Sequence, residues 1–102
     1  MITPTGFLIP EDKIAEFCEK HRIRKLALFG SVLRDDFDED SDIDVLVEFE
    51  PDVNLGLDFF TIQFELEDML GRRIDFATPE MLKRYVRRRI LDSAQVVYER
   101  AG

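Results

Sequence analysis

The stretch GSVLRDDFDEDSDIDVLVEFEPD, residues 30–52, holds ten carboxylates (Asp35, Asp36, Asp38, Glu39, Asp40, Asp42, Asp44, Glu48, Glu50 and Asp52) around one cation, Arg34, and opens on a Gly-Ser pair. Most runs of this kind are solvated acidic loops, but the second half of this one has a period. From Asp42 to Phe49, the residues Ile43, Val45, Val47 and Phe49 fall on one face of an extended chain and Asp42, Asp44 and Glu48 on the other, with Leu46 the exception. That alternation predicts a strand over 42–49 with one face against a core. Asp42 and Asp44 then project from the same face, with Cα atoms about 7 Å apart. Like charges held this close raise each other's pKa unless a cation sits between them. Mg²⁺, which takes carboxylate oxygens together with substrate phosphates, is the natural occupant. An Asp-x-Asp pair alone is weak evidence in a chain with 22 acidic residues.

Working outward, Arg24–Phe29 reads as a short buried strand that ends at Gly30 and Ser31, with a helical turn over Ser31–Asp35 behind it. Such a turn leaves N–H groups unpaired and slightly positive, which suits a phosphate. Glycine lets the backbone approach a ligand closely and the serine hydroxyl adds a donor. A plain strand-to-helix turn is the simpler alternative for the pair taken alone. A phosphate cradle beside a metal-binding carboxylate pair describes a nucleoside-triphosphate site.

Downstream, a turn over Pro51–Gly56 leads to a helix over Asp58–Leu70, with Phe59, Ile62, Leu66 and Met69 on one stripe and Gly71 as its stop. Phe60 and Phe64 lie off that stripe: a wide buried face is the simpler reading, and an exposed pair would mark a partner surface. Arg73–Ala77 alternates again, with Ile74 and Phe76 on one side and Asp75 on the other. A neighbouring position in the sheet would bring Asp75 beside Asp42 and Asp44, and three carboxylates can hold two metals about 3.5–4 Å apart. The third can also accept a nucleophile's proton. A helix over Pro79–Ser93, with Leu82, Val86 and Ile90 four apart, and a strand over Gln95–Tyr98 follow. Upstream, Pro10, Glu11 and Asp12 open a first helix that runs to about His21, with Ile14, Phe17 and Cys18 on its buried face. The order α-β-α-β-α-β-α-β implies an α/β protein, a small mixed sheet packed with helices. One domain over 1–102, with a core over about 10–99, is expected.

Composition narrows the functional classes. The formal net charge of −8 argues against direct nucleic-acid binding. An apolar content of 45% rules out a disordered tail. No apolar run approaches the ~20 residues of a membrane span, and the first residues lack a leader's basic and apolar regions, so an untargeted cytoplasmic protein is expected. The single cysteine, Cys18, cannot form an internal disulfide and has no basic neighbour to activate it, which suits a core thiol. His21, the only histidine, reads as a satisfied surface residue at a helix end. Residues 83–89, KRYVRRR, carry five cations (Lys83, Arg84, Arg87, Arg88 and Arg89) and no acid. They form either a solvated helix face or a docking surface for an acidic partner or phosphates.

Gly30-Ser31, ten residues, then Asp42-Ile43-Asp44 is the G-S-x10-D-x-D signature of the DNA polymerase β-like nucleotidyltransferase superfamily. The wider stretches LALFGSVLRDDFDEDSDIDVLVEF (26–49) and LGRRIDFATPEMLKRYVRRRIL (70–91) resemble the minimal nucleotidyltransferase, MntA-like antitoxins. The resemblance implies a minimal nucleotidyltransferase fold and a Mg²⁺-dependent enzyme, with two ions, that transfers AMP from ATP to a tyrosine of a HEPN-domain ribonuclease toxin encoded by an adjacent gene. It implies Asp42, Asp44 and Asp75 as catalytic metal ligands, and Gly30 and Ser31 as holders of the β- and γ-phosphates. Many relatives have arginine directly after the serine and glycine after a second arginine. Val32 and Asp35 stand in those places here while Arg34 survives as the cation near the triphosphate, so charge compensation is reduced. Docking to the toxin would use Arg87, Arg88 and Arg89 with Phe60 and Phe64.

Two other functions compete with catalysis on a toxin. One is a binding antitoxin that occludes its partner through the 83–89 helix and Phe60/Phe64 without chemistry. The other is nucleotidyl transfer to a small molecule, for which such enzymes usually add a second domain that this chain has no room for.

Overall fold

A computed structural model describes residues 1–54 and 56–100. Leu55, within the expected 51–56 turn, and Ala101 and Gly102, within the expected 1–102 domain, lie outside the described residues. The elements are α1 (Glu11–Lys20), β1 (Ile23–Phe29), β2 (Ile43–Phe49), α2 (Asp58–Leu70), β3 (Ile74–Ala77), α3 (Arg84–Ser93) and β4 (Gln95–Glu99), with single 3₁₀ turns at Gly30–Leu33 and Pro79–Met81. The strands form one mixed sheet in the order β3-β2-β1-β4. β1 runs antiparallel to β2 and β4, and β2 runs parallel to β3. No described helix is long and apolar enough to cross a membrane.

The alternation in each strand decides which side is covered. Leu26, Leu28, Ile43, Val45, Val47, Ile74 and Phe76 join Ile14, Phe17 and Cys18 of α1 and Ile62 and Leu66 of α2 in one apolar core. Acids in the first turn of α1 (Glu11, Asp12) and Lys20 in its last complement its dipole. Burial raises the Cys18 thiol to about 12, so the side chain behaves as a small core hydrophobe. The opposite face carries Phe29, Asp44 and Asp75. The end of α3 lies over part of it, where Leu91 and Ala94 line a small pocket with Ala27, Leu46 and Val96.

Several expectations are corrected. Phe60 and Phe64 do not widen the buried face of α2: they are 55% and 58% exposed, while Ile62 and Leu66 are buried and Phe59, Met69 and Leu70 pack against the core beside them. The last helix does not begin at Pro79. A 3₁₀ turn ends at Met81, Leu82 and Lys83 are extended, and α3 starts at Arg84. The carbonyls of Glu80 and Leu82, which a continuous helix would use internally, accept instead from Arg87 Nη2 at 3.5 and 3.1 Å. Leu82, Val86 and Ile90 are only half-buried, so α3 is a surface helix. The turn after β1 closes at Leu33, with Arg34 already extended, rather than running to Asp35. His21 is half-buried: its Nε2 lies 2.6 Å from Glu65 Oε2 and its ring packs edge-on against Phe17. Lys20 and His21 together hold the Glu65 carboxyl below its ordinary range.

Candidate active site

Asp44 is the centre of the site because of where β2 runs. Its antiparallel partner on β1 is Phe29, the residue before Gly30, and its parallel partner on β3 is Asp75. Adjacent strands lie about 4.8 Å apart, so two carboxylates in register on one face must meet. Burial first, then the Asp75 carboxyl, then Asp42 push Asp44 up to about 6, while Arg34 pulls it down. A hydrogen bond with Asp75 also favours the protonated Asp44 carboxyl. Asp75 is exposed and Asp44 half-buried.

Gly30 explains the first half of the signature. Its φ is +76°, a left-handed conformation that side chains disfavour, and a Cβ built there would overlap Asp44 Oδ2 and stand 3.0 Å from Asp44 Cγ. Asp44 therefore lies directly against the backbone of the Gly-Ser turn. Ser31 is half-buried at the start of that turn, and its carbonyl accepts from the Arg34 N–H at 2.9 Å. Arg34 is exposed and its Nε pairs with Asp36 Oδ1 at 3.2 Å. Val32 is fully buried in the core, so that position offers the site no charge.

Asp42 differs from its expected placement. It precedes β2 rather than belonging to it, and its exposed Oδ1 lies 3.3 Å from Arg73 Nε. Among the described residues no three carboxylates close into a preformed metal cluster. Asp44 and Asp75 converge, and Asp42 stands near with its charge answered by Arg73. The residues nevertheless fit a hard divalent ion: the donors are all oxygen, and the Asp44–Asp75 pair lacks a cation between its charges. The basic helix is also less free than its sequence suggests, because Arg87 is half-buried and bonded to backbone while Arg88 pairs with Asp92 at 3.9 Å. Sequence reading missed Arg72 and Arg73, which lie in the turn before β3 and contact the acidic loop.

The sign of the Asp44 shift predicts a trade of stability against function. The folded protein binds this proton more tightly than the unfolded chain, so metal-free stability falls as pH rises from about 4 through 6. Asp44→Asn removes the repulsion and is expected to stabilise the metal-free protein at pH 7 by about 1 kcal/mol, discounted for partial exposure, or roughly 4–8 °C in Tm. The gain should vanish below about pH 4. Melting curves across this range check it, and an unchanged Tm at pH 7 would refute the coupling.

Comparison with known proteins bears on the family and the fold. A family profile described as a nucleotidyltransferase domain matches residues 11–97. The chain is 37% identical over 83 residues to the protein adenylyltransferase MntA of Thermococcus cleftensis, covering 81% of each. A solved structure described as a candidate minimal nucleotidyltransferase is 34% identical, with a TM-score of 0.70 over 82% of this chain and 85% of that one. A tri-AMPylated Shewanella oneidensis HEPN toxin in complex with its MNT antitoxin matches at 16% identity and a TM-score of 0.64, over 88% of this chain and 70% of that one, a likeness of fold.

Proposed function

This chain belongs to the nucleotidyltransferase domain family, in its minimal, MntA-like branch, and we propose that it acts in the cytoplasm as a Mg²⁺-dependent protein adenylyltransferase that moves AMP from ATP to a tyrosine of a HEPN-type toxin. The observation that carries this reading is the packing of Asp44 against Gly30 with Asp75 in register beside it. That arrangement sets a carboxylate pair against the Gly-Ser turn, where a triphosphate would lie. The adenylyltransferase name of a relative and the AMPylated HEPN toxin held by an antitoxin of the same fold support the acceptor.

Asp42, Asp44 and Asp75 would hold the metal, which supplies charge neutralisation at the phosphates and an acidified acceptor oxygen. Gly30 lets the main chain approach the β- and γ-phosphates, and the Ser31 hydroxyl donates to them. Arg34 gives the triphosphate its nearby cation. Asp75 takes the proton of the tyrosine hydroxyl as its oxygen bonds to the α-phosphorus, and the bond to the departing pyrophosphate breaks on the opposite side. We assign two patches to the toxin, Phe60 and Phe64 exposed on α2 and Arg88 and Arg89 exposed on α3, on helices that cover opposite faces of the sheet. Arg87 is removed from the second patch by its backbone bonds.

ATP binding is expected to require the divalent ion, since the carboxylates otherwise repel the triphosphate. Calorimetry with ATP in Mg²⁺ and in EDTA tests this, and equal affinity in both would overturn the site. The exposed phenylalanine pair also favours a second reading, an antitoxin that works by occlusion alone. Changing Asp42 and Asp44 together to Asn separates the two, because only an occluding antitoxin would still protect cells.

A further inference from the structure

Arg72 is half-buried in the turn between α2 and β3, and its surroundings are unusual for a cation in so acidic a molecule. Its guanidinium lies over the Phe37 ring at 4.5 Å and the Phe7 ring at 5.4 Å, and those two rings meet edge to face at 5.8 Å. Its Nη2 donates to two main-chain carbonyls of the acidic loop, Asp38 O and Ser41 O, each at 2.6 Å. Phe37 is the loop's one buried residue. Arg72 thus pins the loop through its backbone carbonyls rather than through a carboxylate.

The position of those bonds matters for Asp42. Its preceding peptide is held at the Ser41 carbonyl by the Arg72 side chain, and its following peptide is held at the Ile43 N–H, which donates to Arg73 O at 3.0 Å. Both peptide planes that set the Asp42 Cα are tied to two consecutive residues, and Asp75 lies two residues beyond Arg73 on β3. We propose that Arg72 is a positioning residue for this site: it clamps the 38–41 loop and thereby delivers Asp42 to the Asp44–Asp75 pair. The inference rests on the nucleotidyltransferase reading of that pair. A lysine cannot replace the clamp, because a compact, strongly hydrated ammonium does not lie flat on two ring faces while bonding two carbonyls. Charge alone is therefore insufficient, and Arg72→Lys should fail as Arg72→Met does.

The test uses the whole chain, with Arg72→Lys and Arg72→Met compared against Glu39→Gln, a loop charge the clamp does not touch, and Ile14→Val, a mild core loss far from the site. In metal-free protein, amide exchange at Ser41 and Ile43 should quicken at least about 10-fold in both Arg72 variants and in neither control. By calorimetry well below each Tm, the Mg²⁺ concentration that half-saturates ATP binding should rise about 10–100-fold in the Arg72 variants, the usual cost of losing a partner that orients a metal ligand. Unchanged exchange overturns the clamp. Quickened exchange with a parental Mg²⁺ requirement overturns the positioning role, as does a Mg²⁺ shift of equal size in Ile14→Val. If the parental protein binds no Mg·ATP, the proposed function fails and exchange alone decides the clamp.

Discussion

Gly30→Ala is expected to lower AMP transfer by at least about 10²-fold, the cost of moving a reacting group by roughly 1 Å, whereas Gly71→Ala should transfer at the parental rate. The pair is informative because both glycines are left-handed, at φ +76° and +69°, so an alanine bears a similar backbone strain of about 1–2 kcal/mol at either position. They differ in what a Cβ would meet. At Gly71, the C-cap of α2, nothing lies within 4 Å, and at Gly30 the new methyl would fall on the Asp44 carboxylate. The Asp44 backbone is fixed between β1 and β3, so its carboxylate must rotate away from both the turn and Asp75. Both variants should lose some Tm, and only one should lose chemistry. Assays of AMP transfer to purified toxin beside melting curves check this, and equal losses of activity in the two would reduce Gly30 to an ordinary turn residue.

How much of this site could be read from the chain depended on distance along it. The Gly30-Ser31 and Asp42-x-Asp44 spacing lies within fifteen residues and the alternation over 43–49 is local, so strand, turn and carboxylate pair were all legible. Asp75 was legible as a polar residue between Ile74 and Phe76, and its partner only as a possibility, since parallel pairing of β2 with β3 leaves no turn signal that sets register. The placement of Asp42 just outside the strand was not legible, because alternation counts residues by face and cannot tell the last loop residue from the first strand residue. Arg72 was hidden for a stronger reason. Its contacts reach Phe7, Phe37, Asp38 and Ser41, and a cation that bonds to carbonyls leaves no complementary charge in the sequence. Arg87 misled in the same way, reading as part of a basic face while its guanidinium bonds to the backbone that interrupts the helix. Phe60 and Phe64 show the limit of stripe counting, since how wide a helix face is buried depends on what packs there.

The two converging carboxylates are expected to separate binding from transfer. β3 is the edge of the sheet and Asp75 on it is exposed, while Asp44 sits on an inner strand against the Gly-Ser turn. On the proposed function, Asp44 would therefore be on the phosphate side and Asp75 on the side an incoming tyrosine approaches. Asp42→Asn and Asp44→Asn should each abolish Mg²⁺-dependent ATP binding together with transfer, since either change removes a ligand of the ion that the triphosphate would face. Asp75→Asn should keep Mg·ATP bound through the other two and fail at the acceptor. A tyrosine hydroxyl has an ordinary pKa of about 10 and is a poor nucleophile until its proton is taken. Loss of the group that takes it should cost about 10²–10⁴-fold in rate. Asn at position 75 also removes the repulsion that raises Asp44, so Mg·ATP affinity in that variant should hold to lower pH than in the parent. Mg·ATP affinity by calorimetry and AMP transfer to the purified toxin, measured for all three variants, resolve the roles. If Asp75→Asn transfers AMP at the parental rate, Asp75 is a surface carboxylate at the sheet edge and another group must receive the tyrosine's proton.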